Sequence, residues 1–125
     1  FTALVMNHLL RNGDGHLKNY GILYENDYED ARLAPIYDVI TTTIYIKNDI
    51  PALKMSDGKL WWKEKTYKSF AMKSCGLSNK EYEEILTTCT NAVLKTKMEI
   101  DKYVCEDDET KTFLADLKEC WRDVI

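Results

Sequence analysis

No stretch of the chain is long and apolar enough to cross a membrane. The longest mainly apolar run, Phe1 to Met6, falls far short of the roughly 20 residues a spanning helix needs. There is no basic excess either. Seventeen Lys and Arg against 21 Asp and Glu give a formal net charge of −4 and a pI near 5.2, with the basic residues scattered among the acids. That pattern argues against a protein held directly to nucleic acid by bulk electrostatics. The four cysteines, Cys75, Cys89, Cys105 and Cys120, form no C-x-x-C pair. They read as free thiols buried or half-buried on helices, with zinc and disulfides as minor alternatives. No signal-peptide pattern, internal repeat, low-complexity tract or linker appears among these residues. The default expectation is therefore a soluble cytoplasmic protein with neither direct nucleic-acid binding nor a membrane anchor.

What is present is concentrated in one place. Asn12 to Asn19, N-G-D-G-H-L-K-N, packs an acid, an imidazole, an ammonium and an amide around two glycines. Taken alone, Asn12-Gly13-Asp14-Gly15 is a turn tetrapeptide. A turn does not require His16, Lys18 and Asn19 behind it. Phosphoryl transfer from a nucleotide does require a carboxylate to accept the hydroxyl proton, and oxygen ligands for the magnesium that bridges the phosphates. In kinase catalytic loops the base is followed five residues later by a metal-binding Asn, and a second metal-binding Asp comes after a hairpin. Asp14 and Asn19 have that offset, and Asp38, in Pro35-Ile36-Tyr37-Asp38-Val39, stands where the later Asp belongs. Asp14 is the candidate base, and Asn19 and Asp38 are the candidate Mg²⁺ ligands, since Mg²⁺ favours oxygen donors. Lys18 either neutralises phosphate or points to solvent. His16 either organises the loop or touches a phosphate.

Around this stretch the coarse structure is readable. Phe1 to Leu10 is apolar nearly all round and predicts a buried helix, ended near Arg11 by Asn12-Gly13. On that helix His8 reads as a core or loop-bracing residue. Tyr20 to Tyr24 and Arg32 to Ile36 predict the strands of a β-hairpin, with Glu25 to Asp30, including Asp27 and Glu29, as a solvated acidic turn. The hairpin has the Asn12–Asn19 loop at one end and Asp38 at the other. Val39 to Ile46 is rich in β-branched residues and predicts extended chain. Asn48 to Lys54 predicts a loop, and Ser56-Asp57-Gly58-Lys59 a turn before Trp61-Trp62. Thr66 to Cys75 predicts a short helix stopped by Gly76. Ser78-Asn79-Lys80-Glu81 is a capping box opening a long helix to about Val104, with Tyr82, Ile85, Leu86, Cys89, Val93, Leu94 and Met98 at helical spacing. A final helix from about Asp108 to Val124 carries Phe113, Leu114, Leu117, Cys120, Trp121 and Val124 on one face, with acids at its start that suit the macrodipole. The fold class is mainly α with a small β-hairpin, one domain over 1–125, with the loop and hairpin in 1–46 and a helical scaffold from about 66 to 125.

Two other metal readings fail on ligand count. A zinc site from His8 and His16 lacks further ligands nearby. A calcium loop over Asn12 to Asn19 would need glycine where Leu17 stands and a closing glutamate.

At these residues the sequence resembles the HipA-like serine/threonine kinases, toxin components of bacterial toxin-antitoxin modules. The resemblance rests on N-G-D-G-H-L-K-N, the hairpin Tyr20 to Ala34, L-A-P-I-Y-D-V-I-T-T (Leu33 to Thr42) and, more loosely, A-L-K-M-S-D-G-K (Ala52 to Lys59). It implies a protein-kinase-like C-terminal lobe with Asp14 as proton acceptor and Asn19 and Asp38 as metal ligands. His16, Leu17, Lys18 and Asn19, with Tyr37 and Asp38, would border ATP. It also implies a protein substrate and a DNA-binding antitoxin as partner, whereas some relatives are secreted or translocated kinases. The chain carries no glycine-rich nucleotide loop and no identifiable strand lysine with its helix glutamate, and in the family these lie in a portion preceding Phe1. Such a lobe is incomplete at its N-terminal side, so the 125 residues read as a fragment that alone transfers little or no phosphate. Two alternatives stand beside this reading. A phosphoinositide-type lipid kinase shares a D-x-H-x-x-N loop, which Asp14, His16 and Asn19 satisfy, but usually places its later Asp in D-F-G. A split or degenerate lobe would be a binding module without turnover.

Overall fold

The computed structural model describes residues 1–25, 29–55, 58–103 and 105–122. Asp27, Ser56, Asp57, Val104 and Val124, which figure in the sequence reading, lie outside the described residues.

Among the described residues four α-helices carry the structure: α1 (Thr2–Leu9), α2 (Glu64–Lys73), α3 (Asn79–Lys102) and α4 (Asp108–Cys120). The core forms where α1, α2 and α3 meet. Val5 and Leu9 of α1, Tyr67 and Ala71 of α2, and Tyr82, Cys89 and Val93 of α3 are buried together with Trp62. Large rings dominate it, and they meet edge-on or tilted: Trp62 and Tyr67 at 5.3 Å between centroids, Phe1 and Tyr82 at 5.8 Å. Such pairs add to the hydrophobic stabilisation because the ring quadrupoles prefer these approaches. The apolar sequence of α1 is thus explained by burial on several sides, with Leu4, Met6 and Leu10 half-buried around the fully buried Val5 and Leu9.

Local chemistry sets the helix ends. Ser78 and Glu81 form the predicted capping box: the Glu81 amide donates to Ser78 Oγ (3.3 Å), and the Ser78 amide donates to Glu81 Oε2 (2.8 Å). An N-cap of this kind is worth about 1 kcal/mol. Gly76 adopts φ +68°, which lets the Leu77 amide turn back to the Ala71 carbonyl at 3.0 Å. A side chain would make that left-handed turn costly. At α4 the cap is Asp107, one residue before the predicted start, and its carboxylate accepts from the Glu109 and Thr110 amides.

The hairpin is shorter than the sequence predicts. β1 (Ile22–Leu23) pairs antiparallel with β2 (Arg32–Leu33), Ile22 opposite Leu33, in a two-stranded sheet. The Ala34 amide extends the pairing to the Gly21 carbonyl at 2.8 Å. All four strand residues are exposed, so little packing holds the ladder beyond this point. Glu29 and Asp30 are exposed, as predicted, and Glu25 pairs with Arg32.

The extended chain predicted for Val39 to Ile46 is corrected to a 3₁₀ turn over Thr42–Ile44. Tertiary hydrogen bonds override the β propensity of this run. The amides of Thr42 and Thr43 both donate to the Arg11 carbonyl, at 3.2 and 3.4 Å. Three further details differ from the sequence reading. Leu94 and Met98 are exposed, so the buried stripe of α3 is narrower than its apolar pattern. No residue of α4 is fully buried, and its last turn is held by Trp121, whose Nε1 donates to Thr41 Oγ1 at 2.7 Å. Cys75 is exposed and Cys105 lies outside a helix, while Cys89 is buried and Cys120 half-buried; all four are free thiols. Among the described residues no helix is long and apolar enough to cross a membrane.

The division between buried and exposed apolar residues is testable. Leu9→Ala should destabilise by about 2–5 kcal/mol in chemical denaturation. Met98→Ala, 59% exposed, should stay within about 0.5 kcal/mol.

Candidate functional site

The site begins where α1 ends. Leu10 closes the helix, and Arg11, not a glycine, takes the left-handed conformation that reverses the chain (φ 56°). Gly13 and Gly15 serve close approach instead. A Cβ at Gly13 would collide with the Asp49 carboxylate, and one at Gly15 would lie 2.5 Å from Asn7 Nδ2. The loop is thus pressed against α1 on one side and the Asp49 segment on the other.

Buried amides hold it from behind. Asn12 Nδ2 donates to Asn7 Oδ1 (3.0 Å) and to the Asp38 carbonyl (3.3 Å), while Asn12 Oδ1 accepts from the Asp14 amide (3.1 Å). Asn7 Nδ2 in turn donates to the Tyr20 hydroxyl at 3.2 Å. A second anchor is Thr42, whose Oγ1 accepts from the Gly13 amide at 2.7 Å and donates to Asp49 Oδ2. The Ala52 amide donates to the Gly13 carbonyl at 2.8 Å. Every one of these bonds satisfies a group that burial would otherwise penalise.

The front of the loop carries the residues singled out from sequence. Asp14 is exposed, and its carbonyl accepts from the His16 amide at 2.7 Å. The His16 amide also donates to Asn19 Oδ1 at 2.9 Å, across a 3₁₀ turn at Leu17–Asn19. Asn19 is buried, and its Nδ2 donates to Asp38 Oδ2 at 3.1 Å. The hairpin therefore brings Asn19 and Asp38 together across 19 residues of sequence. Tyr37 joins the same edge, its hydroxyl donating to the Lys18 carbonyl at 2.6 Å. Leu17 and Lys18 point to the surface, Leu17 being 75% exposed. His16 is half-buried, and its Nδ1 has no hydrogen-bond partner among the described residues. Asp38 itself sits at φ 58°, a conformation that Asp tolerates better than most residues.

Oxygen atoms of Asp38 and Asn19 lie in this corner, with the Asn19 amide nitrogen rather than Oδ1 turned to Asp38. The Asp38 carboxylate is exposed and accepts a single side-chain bond on Oδ2, and Asn19 Oδ1 keeps a second lone pair beyond the one used by the His16 amide. Among the described residues no group of three or more His, Cys, Asp or Glu side chains converges. A dedicated all-protein metal cage is therefore absent from them. Mg²⁺ needs no such cage, because it is usually held by one or two carboxylates together with phosphates and water.

The HipA-like C-terminal domain matches this chain over residues 1–97, which include the loop, the hairpin and Asp38. The chain belongs to the HipA-like C-terminal domain family. A relative from Sinorhizobium fredii (strain NBRC 101917 / NGR234), named Putative kinase Y4dM, is 42% identical over 57 residues, covering 45% of this chain and 14% of that protein. The chain thus corresponds to a small part of that relative's length.

For this HipA-like domain the sequence reading missed the supports. Asn7, Thr42 and Asp49 all brace the loop, and only Asn7 left a trace, as a polar residue in an apolar helix. Thr42 and Asp49 act through contacts with a loop about 30 residues earlier in the chain, which no local pattern reveals.

His8, beside Asn7, is buried as the sequence predicts. Its ring meets Tyr67 edge-on at 5.2 Å and Trp61 at 5.7 Å, and its Nδ1 has no partner among the described residues. Burial first, and then the charges of Arg11 and Arg122, push its pKa down to about 4. Because the folded value lies below the ordinary 6.5, the unfolded chain binds the proton more tightly. Stability from this group is complete above pH 6.5 and is lost as pH falls toward 4. The loss should be on the order of 3 kcal/mol in the native protein, and His8→Gln should flatten it in denaturation curves measured across that window.

Proposed function

We propose that this chain is the catalytic lobe of an ATP- and Mg²⁺-dependent protein serine/threonine kinase. The observation that carries the reading is the 3.1 Å contact between Asn19 and Asp38, formed by a loop that is braced from behind and also carries the exposed Asp14. Membership of the HipA-like family and the name of the Sinorhizobium relative support it.

In this reading Asp14 accepts the proton of the substrate hydroxyl and holds that oxygen in line with the γ-phosphorus. Its exposure suits the task, since the acceptor must arrive from solvent. Asn19 and Asp38 would hold Mg²⁺, which when bound neutralises charge on the phosphates. The bond from the His16 amide fixes the Asn19 side chain, and the Asn12 bond to the Asp38 carbonyl fixes that backbone, so neither must be ordered when nucleotide binds. His16, Leu17, Lys18 and Tyr37 form the edge along which ATP would lie. A protein serine or threonine as acceptor, a DNA-binding antitoxin as partner, and a preceding portion that supplies the phosphate loop belong to the same proposal.

In the full-length protein, Asp14→Asn should lower phosphoryl transfer by about 10²–10⁴-fold in a radiolabelled ATP assay while leaving thermal stability near the parent's. Transfer at the parental rate would remove Asp14 from the role of base.

A further inference from the structure

Next to the Asp49 segment that backs the loop lies an open cavity of about 600 Å³. Four segments build its walls: Arg11 just beyond α1, the segment from Thr43 to Ile50, Trp61, and the last turn of α4 with Arg122 beyond it. They are tied together. The Arg122 amide donates to the Leu9 carbonyl at 2.8 Å, and Trp61 Nε1 donates to the Asp49 carbonyl at 2.9 Å.

The cavity collects cations that form no ion pair among the described residues. Arg11, Lys47 and Arg122 line it, although the chain as a whole is acidic. Arg11 is the most constrained of the three. Its guanidinium lies 4.5 Å from the centre of the Trp61 ring, Nη1 is buried with no hydrogen-bond acceptor among the described residues, and burial together with Arg122 lowers its pKa to about 10. A buried guanidinium nitrogen without an acceptor is costly. So is a side chain at φ 56°, where glycine is favoured. Both costs fall on one residue that feels the charge of Arg122 and shares the cavity with Lys47. Of the acids on the walls, Asp49 is already engaged by the Thr42 hydroxyl and the Ile50 amide, leaving Glu119 as the one acid not so held.

We propose that this cavity binds a phosphoryl oxyanion, with Arg11, Lys47 and Arg122 as its charged donors and Trp61 holding the Arg11 guanidinium in place. Planar guanidinium groups recognise phosphate through paired hydrogen bonds, and Arg11 and Arg122 bring two of them to one cavity. The volume leaves room for the carrier of the group, whether a phosphorylated side chain or free phosphate with water. The proposal does not depend on the kinase reading, because none of its residues is assigned to ATP or metal.

The test is calorimetric titration of the full-length protein with inorganic phosphate and, separately, with O-phosphoserine. Lys47→Ala and Arg122→Gln alter exposed side chains and keep the Arg122 backbone bond to Leu9, so folding should survive. Arg11→Gly removes the guanidinium at a backbone angle that glycine favours. Each substitution should weaken binding by about tenfold, and Glu119→Gln should tighten it. Tighter binding of phosphoserine than of phosphate would identify a phosphorylated side chain as the ligand, and equal binding would identify free phosphate. No binding of either probe up to roughly 10 mM, or affinities unchanged in all three cation variants, would overturn the proposal. So would looser binding in Glu119→Gln.

Discussion

Asp38 is held by two hydrogen bonds from opposite sides, and the candidate site exists because of them. Its carbonyl accepts from Asn12 and its carboxylate from Asn19. Together they fold the far end of the hairpin back onto the Asn12–Asn19 loop, so that groups 19 and 26 residues apart in sequence share one corner. The short β1–β2 ladder alone would not fix this, since it has two residues per strand and all four are exposed. The positive φ of Asp38 follows from the same constraint, the backbone having to present carbonyl and carboxylate to two different amides.

The apolar core and the polar site meet in α1. One set of its residues, Val5 and Leu9, joins Tyr67, Tyr82 and Val93 in the interior. Another, Asn7 and His8, is buried but polar, and Asn7 connects the helix to the loop through Asn12 and Tyr20. A loop anchored this way inherits the rigidity of the core, which a site needing fixed geometry requires. Thr42 provides a matching anchor on the other side, taking the Gly13 amide and passing its own proton to Asp49. Its 3₁₀ turn also places Thr41 to receive Trp121, so α4, which buries nothing fully, is fastened by a hydrogen bond.

The front of the site and the helical scaffold were legible in the sequence because their signals are local. The five-residue offset of Asp14 and Asn19, the hairpin before Asp38, the Ser78–Glu81 cap and the Gly76 stop each depend on neighbours within a few residues. The back of the site was not legible. Arg11 rather than Gly13 takes the left-handed turn, and both loop glycines answer to contacts with Asp49 and Asn7 instead of to backbone angle. Val39 to Ile46 reads as extended by composition, yet the Arg11 carbonyl and the Gly13 amide dictate a turn there. In each case the deciding interaction spans a distance in sequence that periodicity and propensity do not see.

The central claim is that Asn19 and Asp38 form the metal side of a nucleotide site, and metal-dependent nucleotide affinity addresses it directly. Asp38→Asn removes the charge while keeping a residue that accepts positive φ. In the full-length protein, ATP should bind at least about tenfold more tightly with Mg²⁺ than without it, and in Asp38→Asn that difference should vanish. A magnesium dependence equal in parent and variant would contradict the account.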